Sequence, residues 1–289
     1  MTDQPTGRKA AGRSGLSVIK GHGTENDFLI IPDLEGVLSL SPALVRALCD
    51  RHAGIGADGV LRLMRTKLAT EPDVRSQADE AEFFMDYRNA DGSIVEMCGN
   101  GVRVVGRFLQ QAGLAGDVIN LATRGGIKVI SFDGDDVTVA MGTATVRPEH
   151  PTVNGRYAGL ALDLPNPHVV VELASEQELA ELDLTVPPVV DPALPDGQNV
   201  EFFVRGGPNQ VRMRVHERGV GETRSCGTGI CAVAVAATGD LVGAAPVQVQ
   251  VPGGRCTVGW AADGSITLSG PAVLVGEVAI GESWLNQHR

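Results

Sequence analysis

The chain has 289 residues, 43% apolar and 20% charged, with a formal net charge of −11. That suffices for one large core or two of about 140 residues each. The acidic balance argues against a nucleic-acid or anionic-membrane partner, and no apolar run is long enough to span a bilayer.

Residues 1–16 carry Arg8, Lys9 and Arg13 among small and polar residues. Without an apolar h-region they read as a disordered tail, not a secretory signal. A strand is expected at Ser17–Lys20, a polar glycine turn over Gly21–Asn26, and a second strand at Phe28–Ile31. Ser41 caps a helix that begins at Pro42 and runs to about Cys49. A loop, Gly54–Gly59, leads to a strand at Val60–Met64. Thr66–Glu82 is polar and charged and reads as an exposed loop. A strand at Phe83–Tyr87 and the loop Arg88–Met97 lead to a helix from Cys98 to about Gln111. Strands at Ile127–Phe132 and Val137–Met141 flank the turn Asp133–Asp136.

The second half repeats that order. Ala161–Leu164 and Val169–Val171 bracket Pro165-Asn166-Pro167-His168. Ser175 caps a helix to about Leu182, with Glu178 in the capping-box position. A Pro-rich stretch, Val186–Pro195, precedes Asn199 and strands at Val200–Val204 and Val211–Val215. A helix then opens at Cys226 and runs to about Ala237, and short strands follow from Val247. The expected class is α+β, with two pseudo-symmetric β-rich halves that each wrap a central helix. The expected limits are 17–145 for the N-terminal half and 146–276 for the C-terminal half. A C-terminal strand, 277–289, would complete the first half.

The repeat is written in the residues. Cys98-Gly99-Asn100-Gly101-Val102 recurs as Cys226-Gly227-Thr228-Gly229-Ile230, a constant offset of 128. The register extends from Met85 and Met213 through Val105 and Val233, and Gly125-Gly126 and Gly253-Gly254. It continues to Asp135 and Asp263, Gly142 and Gly270, and Ala144 and Ala272, with Phe132 opposite Trp260. A duplicated half-domain presents one thiol per half. Two thiols meeting at one site form a two-base pair, one removing a proton and the other supplying one. Each Cys opens a helix, where free backbone N–H groups favour negative charge, lower a thiol pKa and hold a carboxylate. The glycines let that carboxylate approach the backbone closely.

Polar residues recur around the two motifs. Asn26 and Asn166 each precede an apolar strand, Asn199 opens another, and Asn89 and Glu217 both sit nine residues before their Cys. Such groups at strand edges suit ammonium and carboxylate ligands, although each alone is also a common turn residue. His168 stands beside Asn166 and reads as a group supporting the site, and His216 as packing or surface. Cys49, Cys231 and Cys256 read as structural. No Zn spacing, dinucleotide or phosphate-loop motif, or Schiff-base lysine is evident, so no metal or other cofactor is expected. Five cysteines, an odd number without disulfide-framework spacing, place the chain in a reducing cytoplasm.

These residues resemble diaminopimelate epimerase. The resemblance rests on Gly23-Thr24-Glu25-Asn26-Asp27-Phe28, Arg51-His52-Ala53-Gly54-Ile55-Gly56-Ala57-Asp58-Gly59 and Asn89-Ala90-Asp91-Gly92-Ser93. It continues with both Cys motifs, Asn166-Pro167-His168, Gln198-Asn199-Val200 and Glu217-Arg218-Gly219. It covers roughly residues 17 to 285. It implies a cofactor-independent isomerase that interconverts LL- and meso-diaminopimelate in the lysine and peptidoglycan pathway, and a homodimer. It implies Cys98 and Cys226 as the acid/base pair, tuned by His168 and Glu217. Substrate binding would fall to Asn26, Asn89, Asn166, Asn199, Glu217, Arg218 and the backbone at Gly99-Asn100 and Gly227-Thr228. The sequence departs from the family at Gly59, where Gln is common, in the longer Thr66–Glu82 segment and in the N-terminal tail. Proline racemases share the two-thiol logic, but their substrates have no distal charge for Arg218 to hold. A thiol redox switch would leave the asparagines unexplained.

Overall fold

The computed structural model describes residues 15–239 and 245–288. The tail expected over 1–16 lies outside them, apart from Gly15 and Leu16, which already belong to the first strand, Gly15–Gly23. That strand turns tightly into Asn26–Pro32 through Thr24 and Glu25, both in the left-handed region with φ of 50° and 62°. Two such residues in a row give a hairpin turn whose twist matches the strands. Non-glycine residues hold this conformation here because the turn is clamped from outside. A Cβ on Gly253 would lie 1.8 Å from the Thr24 carbonyl oxygen, so only glycine lets the second half close over the turn.

The two halves share one pairing scheme. The first comprises Gly15–Gly23, Asn26–Pro32, Gly59–Arg65, Phe83–Asn89, Val118–Ala122, Lys128–Asp133 and Asp136–Gly142. The second comprises Leu160–Leu164, Asn166–Glu172, Asn199–Gly207, Gln210–Glu217, Val247–Val251, Gly254–Trp260 and Ile266–Pro271. In each series successive strands pair antiparallel, parallel, antiparallel, parallel, antiparallel and antiparallel. The structural offset is 140 for the early strands (26 to 166, 59 to 199) and 128 from the fourth strand on (89 to 217). The difference is taken up by the Thr66–Glu82 segment of the first half, opposite the short hairpin between Gly207 and Gln210 in the second.

The ends of the halves are exchanged. Thr145–Val146 pairs with Leu160–Leu164, and Val273–Gly281 pairs along Gly15–Gly23. Asp136–Gly142 also pairs antiparallel with Ile266–Pro271, joining the halves edge to edge. Each half encloses one helix. In the first, Gly99–Gln111 buries Val102, Val104, Val105 and Leu109 among Phe28, Leu61, Ile130 and Val139. In the second, Gly227–Thr238 is apolar almost all round and is encased over Ile230–Val235, as such a helix must be.

Several elements differ from the sequence expectation. Thr66–Glu82 is a packed excursion, not an exposed loop. It contains a 3₁₀ turn, Thr66–Leu68, and a short helix, Pro72–Arg75, and it buries Ala69, Val74 and Ala81 against Met64, Phe84 and Ala122. The strand Val118–Ala122 escapes sequence reading because its first three positions are not buried. The expected 277–289 strand ends at Gly281, and Glu282–His288 is helical. Asn166, Pro167 and His168 lie within a strand, not before one. Ser41 and Ser175 cap their helices as expected, accepting from Leu44 and Glu178 backbone N–H groups at 3.1 and 3.2 Å. Glu178 reaches back to the N–H of Ala174, one residue before the cap, and not to Ser175 itself.

Candidate active site

The two central helices meet N-terminus to N-terminus. A Cβ on Gly227 would lie 3.2 Å from both the Asn100 nitrogen and the Gly99 Cα, so the first turns of the helices are in van der Waals contact. Cys98 and Cys226 are the N-caps of these helices, both in extended conformation. Two positive helix ends therefore converge on one region, and two thiols flank it.

That region is a cavity of about 570 Å³, within the size range of small-molecule sites. Asn26, Asn89, Cys98, Gly99, Asn100, Asn166, Asn199, Glu217, Arg218, Cys226, Gly227 and Thr228 all line it. Of the catalytic and binding residues expected from sequence, His168 alone does not. It is fully buried behind Asn166, with Nδ1 2.7 Å from Glu201 Oε1 and Nε2 3.2 Å from Asn166 Oδ1. His216 is buried against the Leu184 carbonyl at 2.9 Å, a packing role. Among the described residues no group of His, Cys, Asp and Glu could hold a metal ion.

The Cys98 side is built on the hairpin turn. Asn26 Oδ1 lies 3.8 Å from Cys98 Sγ and accepts from Asn100 Nδ2 at 3.1 Å, while its own NH₂ donates to Asp58 at 2.8 Å. Arg51 bridges Asp27 and Asp58, at 2.7 and 2.8 Å, and Lys20 pairs with Asp27. Behind the cavity a buried polar network ties the halves together. Asn100 donates to the Ser225 carbonyl at 3.1 Å, and the Thr24 and Ser225 hydroxyls share a 2.6 Å hydrogen bond. Arg103, fully buried and without a carboxylate partner among the described residues, donates to Asn100 Oδ1 at 2.8 Å and to Thr24 Oγ1 at 3.2 Å. Its Nη1 lies 2.9 Å from Cys256 Sγ.

On the Cys226 side the sulfur accepts from the Gly229 N–H at 3.4 Å and lies 3.5 Å from Thr228 Oγ1 and 4.0 Å from Asn199 Nδ2. Asn199 Oδ1 also accepts from the Arg218 N–H at 2.9 Å, which fixes the strand end carrying Glu217 and Arg218. The Arg218 guanidinium bonds the Asp196 carbonyl at the cavity rim. Glu217 accepts from the Thr223 hydroxyl and lines the cavity with Cys226.

The electrostatics correct one expectation. Burial pushes the Cys98 thiol up to about 11, against the downward pull of the Gly101 and Asn100 N–H groups. Burial also pushes Cys226 well above the ordinary thiol value, and the Glu217 and Glu201 carboxylates add to the rise. The helix ends act in the expected direction, but loss of water outweighs them. Burial likewise raises Glu217 to about 7. Cys49 and Cys231 are raised by burial too, Cys49 to about 12, as inert core thiols are.

Three residues escaped sequence reading. Glu201 is fully buried beneath Gly229, where a Cβ would meet its Oε1 at 2.6 Å. Its signal was a carboxylate interrupting the apolar run Val200–Val204. Tyr87 and Asp58 line the cavity. Asp58 lies in a quoted motif, but nothing in the residues alone marked either as part of the site.

Solved structures of similar fold share this architecture of two β-rich halves around two helices. They include a probable proline racemase from Agrobacterium radiobacter K84, with TM-score 0.66, 18% identity and coverage of 92% of this chain and 93% of that one. A hydroxyproline epimerase from Agrobacterium vitis aligns with TM-score 0.62 and 16% identity over 92% of each chain. A phenazine biosynthesis protein of the PhzF family from Bacillus anthracis aligns with TM-score 0.66 and 14% identity, over 92% of this chain and 98% of that one. The family model described as diaminopimelate epimerase matches residues 18–147 and 161–275; the chain belongs to that family and is therefore an isomerase. Diaminopimelate epimerase of Streptomyces coelicolor is 49% identical over 93% of this chain and 97% of its own length. The enzymes of that name from Thermobifida fusca and Mycolicibacterium smegmatis are 48% and 44% identical, over 89% and 92% of this chain and 95% and 97% of theirs.

Proposed function

We propose that this isomerase interconverts LL- and meso-2,6-diaminopimelate by proton transfer between two cysteines at one α-carbon, in the formation of lysine and peptidoglycan precursors. The observation that carries this reading is the convergence of two Cys-capped helix N-termini on one cavity lined by five asparagines, Glu217 and Arg218. The reacting carboxylate sits between the helix ends, held by N–H groups of Gly99-Asn100 and Gly227-Thr228. Asn26, Asn89, Asn166, Asn199, Glu217 and Arg218 hold the remaining ammonium and carboxylate groups.

Both thiols are protonated in the free protein at neutral pH, so one must lose its proton before it can act. Glu217, which lines the same cavity as Cys226 and has its pKa raised by burial to about 7, is a carboxylate able to hold that proton. The thiolate then takes the α-proton. The C–H electron pair moves into the adjacent carboxylate, where the helix N–H groups stabilise the new charge. The other thiol delivers its proton to the opposite face, and the configuration inverts. His168 fixes the amide of Asn166 and leaves its NH₂ for the cavity. No step calls for a metal or an electron-sink cofactor, and activity should survive chelator and exhaustive dialysis.

A homodimer in the cytoplasm completes this reading. Support for the dimer comes from the exposed strand Val273–Gly281, which leaves Val273, Val275 and Val278 at 36–63% exposure. No helix among the described residues is long and apolar enough to cross a membrane.

The test is incubation with LL-diaminopimelate in deuterium oxide. The expected result is formation of the meso isomer with one solvent deuteron at the inverted carbon. No exchange, or equal turnover of proline, would overturn the assignment.

A further inference from the structure

We infer that Tyr87 is a further substrate-binding residue, its phenol oxygen accepting a hydrogen bond from a substrate ammonium on the Cys98 side of the cavity. This deepens the epimerase reading and rests on it.

The argument begins with a broken symmetry. By the structural repeat, Gly59 is the counterpart of Asn199, and Tyr87 is the counterpart of Val215. Cross-strand register agrees, pairing Gly59 with Asn89 and placing Asn199 opposite Glu217. In the second half the polar group comes from Asn199, whose amide touches both Cys226 and the Arg218 backbone, while Val215 is buried filler. In the first half position 59 has no side chain. A Cβ there would lie 2.7 Å from Tyr87 Cε2 and 2.5 Å from the Arg88 carbonyl oxygen, so the tyrosine ring fills that space. The polar group has moved from one strand to its neighbour.

The hydroxyl is set up to accept. It bonds Asn89 Oδ1 at 2.9 Å, and an amide oxygen can only accept, so the phenol is the donor there. Asn89 is held in that orientation by its NH₂, which donates to Ser93 Oγ at 3.1 Å. The phenol lone pairs remain for a donor from the cavity that both residues line. The ring packs edge-on against Phe28, with centroids 5.8 Å apart, and is 8% exposed, so the hydroxyl is positioned before anything binds. Burial, with Cys98, Glu217, Asp58 and Cys226 nearby, pushes its pKa well above the ordinary tyrosine value. It therefore stays neutral at working pH. The Asp58 and Glu217 carboxyl groups in the same cavity favour a cationic donor, and the substrate's cations are its ammonium groups.

The test compares wild type with Tyr87→Phe, which keeps the ring and its packing. Two ligands are used: diaminopimelate as substrate, and pimelate, which has the same carboxylates and no ammonium, as competitive inhibitor. In Tyr87→Phe the KM for diaminopimelate should rise about tenfold, as expected for a lost hydrogen bond to a charged group. The inhibition constant of pimelate should stay within twofold and the melting temperature should not move. An unchanged KM in the variant, or equal weakening of both ligands, would overturn the assignment, the second because packing alone weakens both alike. Wild type inactive on diaminopimelate would instead overturn the functional reading beneath it.

Discussion

The removed α-hydrogen is a very weak acid, so each thiol must be indispensable at the level of single residues. Cys98→Ala and Cys226→Ala should each lower epimerisation about a thousandfold or more while circular dichroism stays native. Turnover within tenfold of wild type in either variant would rule out the two-base pair. Arg218 borders the cavity with a forked guanidinium that lysine cannot copy. Arg218→Lys should cost about 2 kcal/mol in kcat/KM for diaminopimelate, checked by steady-state assay against an exposed Arg→Lys control such as Arg156→Lys. Glu217 has a stability signature of its own. Its native pKa, about 7, lies above the ordinary carboxylate value of 4.5. Below that ordinary value native and unfolded chains are both protonated there, and the contribution is fully present. As pH rises through 7 the native state must accept a buried charge, and the contribution is lost. Glu217→Gln should therefore gain on wild type in urea midpoint between pH 4.5 and 7.5; a constant gap would mean the carboxyl is not raised. Most of these residues were legible because they sit in repeated, chemically odd positions. Tyr87 and Glu201 were not, because a tyrosine or a carboxylate becomes part of a site only once the fold shows what surrounds it.

Among the elements, the helices that begin on capping signals were readable at their starts: Pro42–Cys49 follows Ser41, and Gly99–Gln111 and Gly227–Thr238 follow their cysteines. Elements whose faces are set by distant partners were not. Val118–Ala122 shows no apolar alternation, because its partners are strands at Phe83–Asn89 and Lys128–Asp133, far away or later in the chain. Thr66–Glu82 looked like solvent-exposed chain because polar residues outnumber the three alanines and valines that anchor it to Phe84. The helix meeting offers a sharper test than either. A methyl at position 227 falls 3.2 Å from the facing helix, closer than backbone atoms tolerate without movement. Gly227→Ala should push the helix ends apart by a few tenths of an ångström. We expect kcat to fall about tenfold or more, because a small misplacement of reacting groups is costly, with a stability loss of only about 1 kcal/mol. Unaltered kcat would show that the contact does not set the spacing of the thiols.

For the whole molecule, the sequence reading expected two halves and a C-terminal strand completing the first, but not that Thr145–Val146 is lent to the second in return. The exchange depends most on Val273–Gly281 lying along Gly15–Gly23, a contact between strands far apart in the chain. Removing residues 273–289 should leave the first strand paired on one side only. The truncated protein should be aggregated or inactive, whereas a merely decorative strand would leave a soluble, active enzyme on size exclusion. The same contact bears on biosynthesis. A ribosome releases the first half long before the strand that closes it has been translated. The emerging half must wait, with its edge open, until the whole second half has been made. Its closure therefore follows the synthesis of its twin, and the interval before it is the stage at which a chaperone would find most to hold.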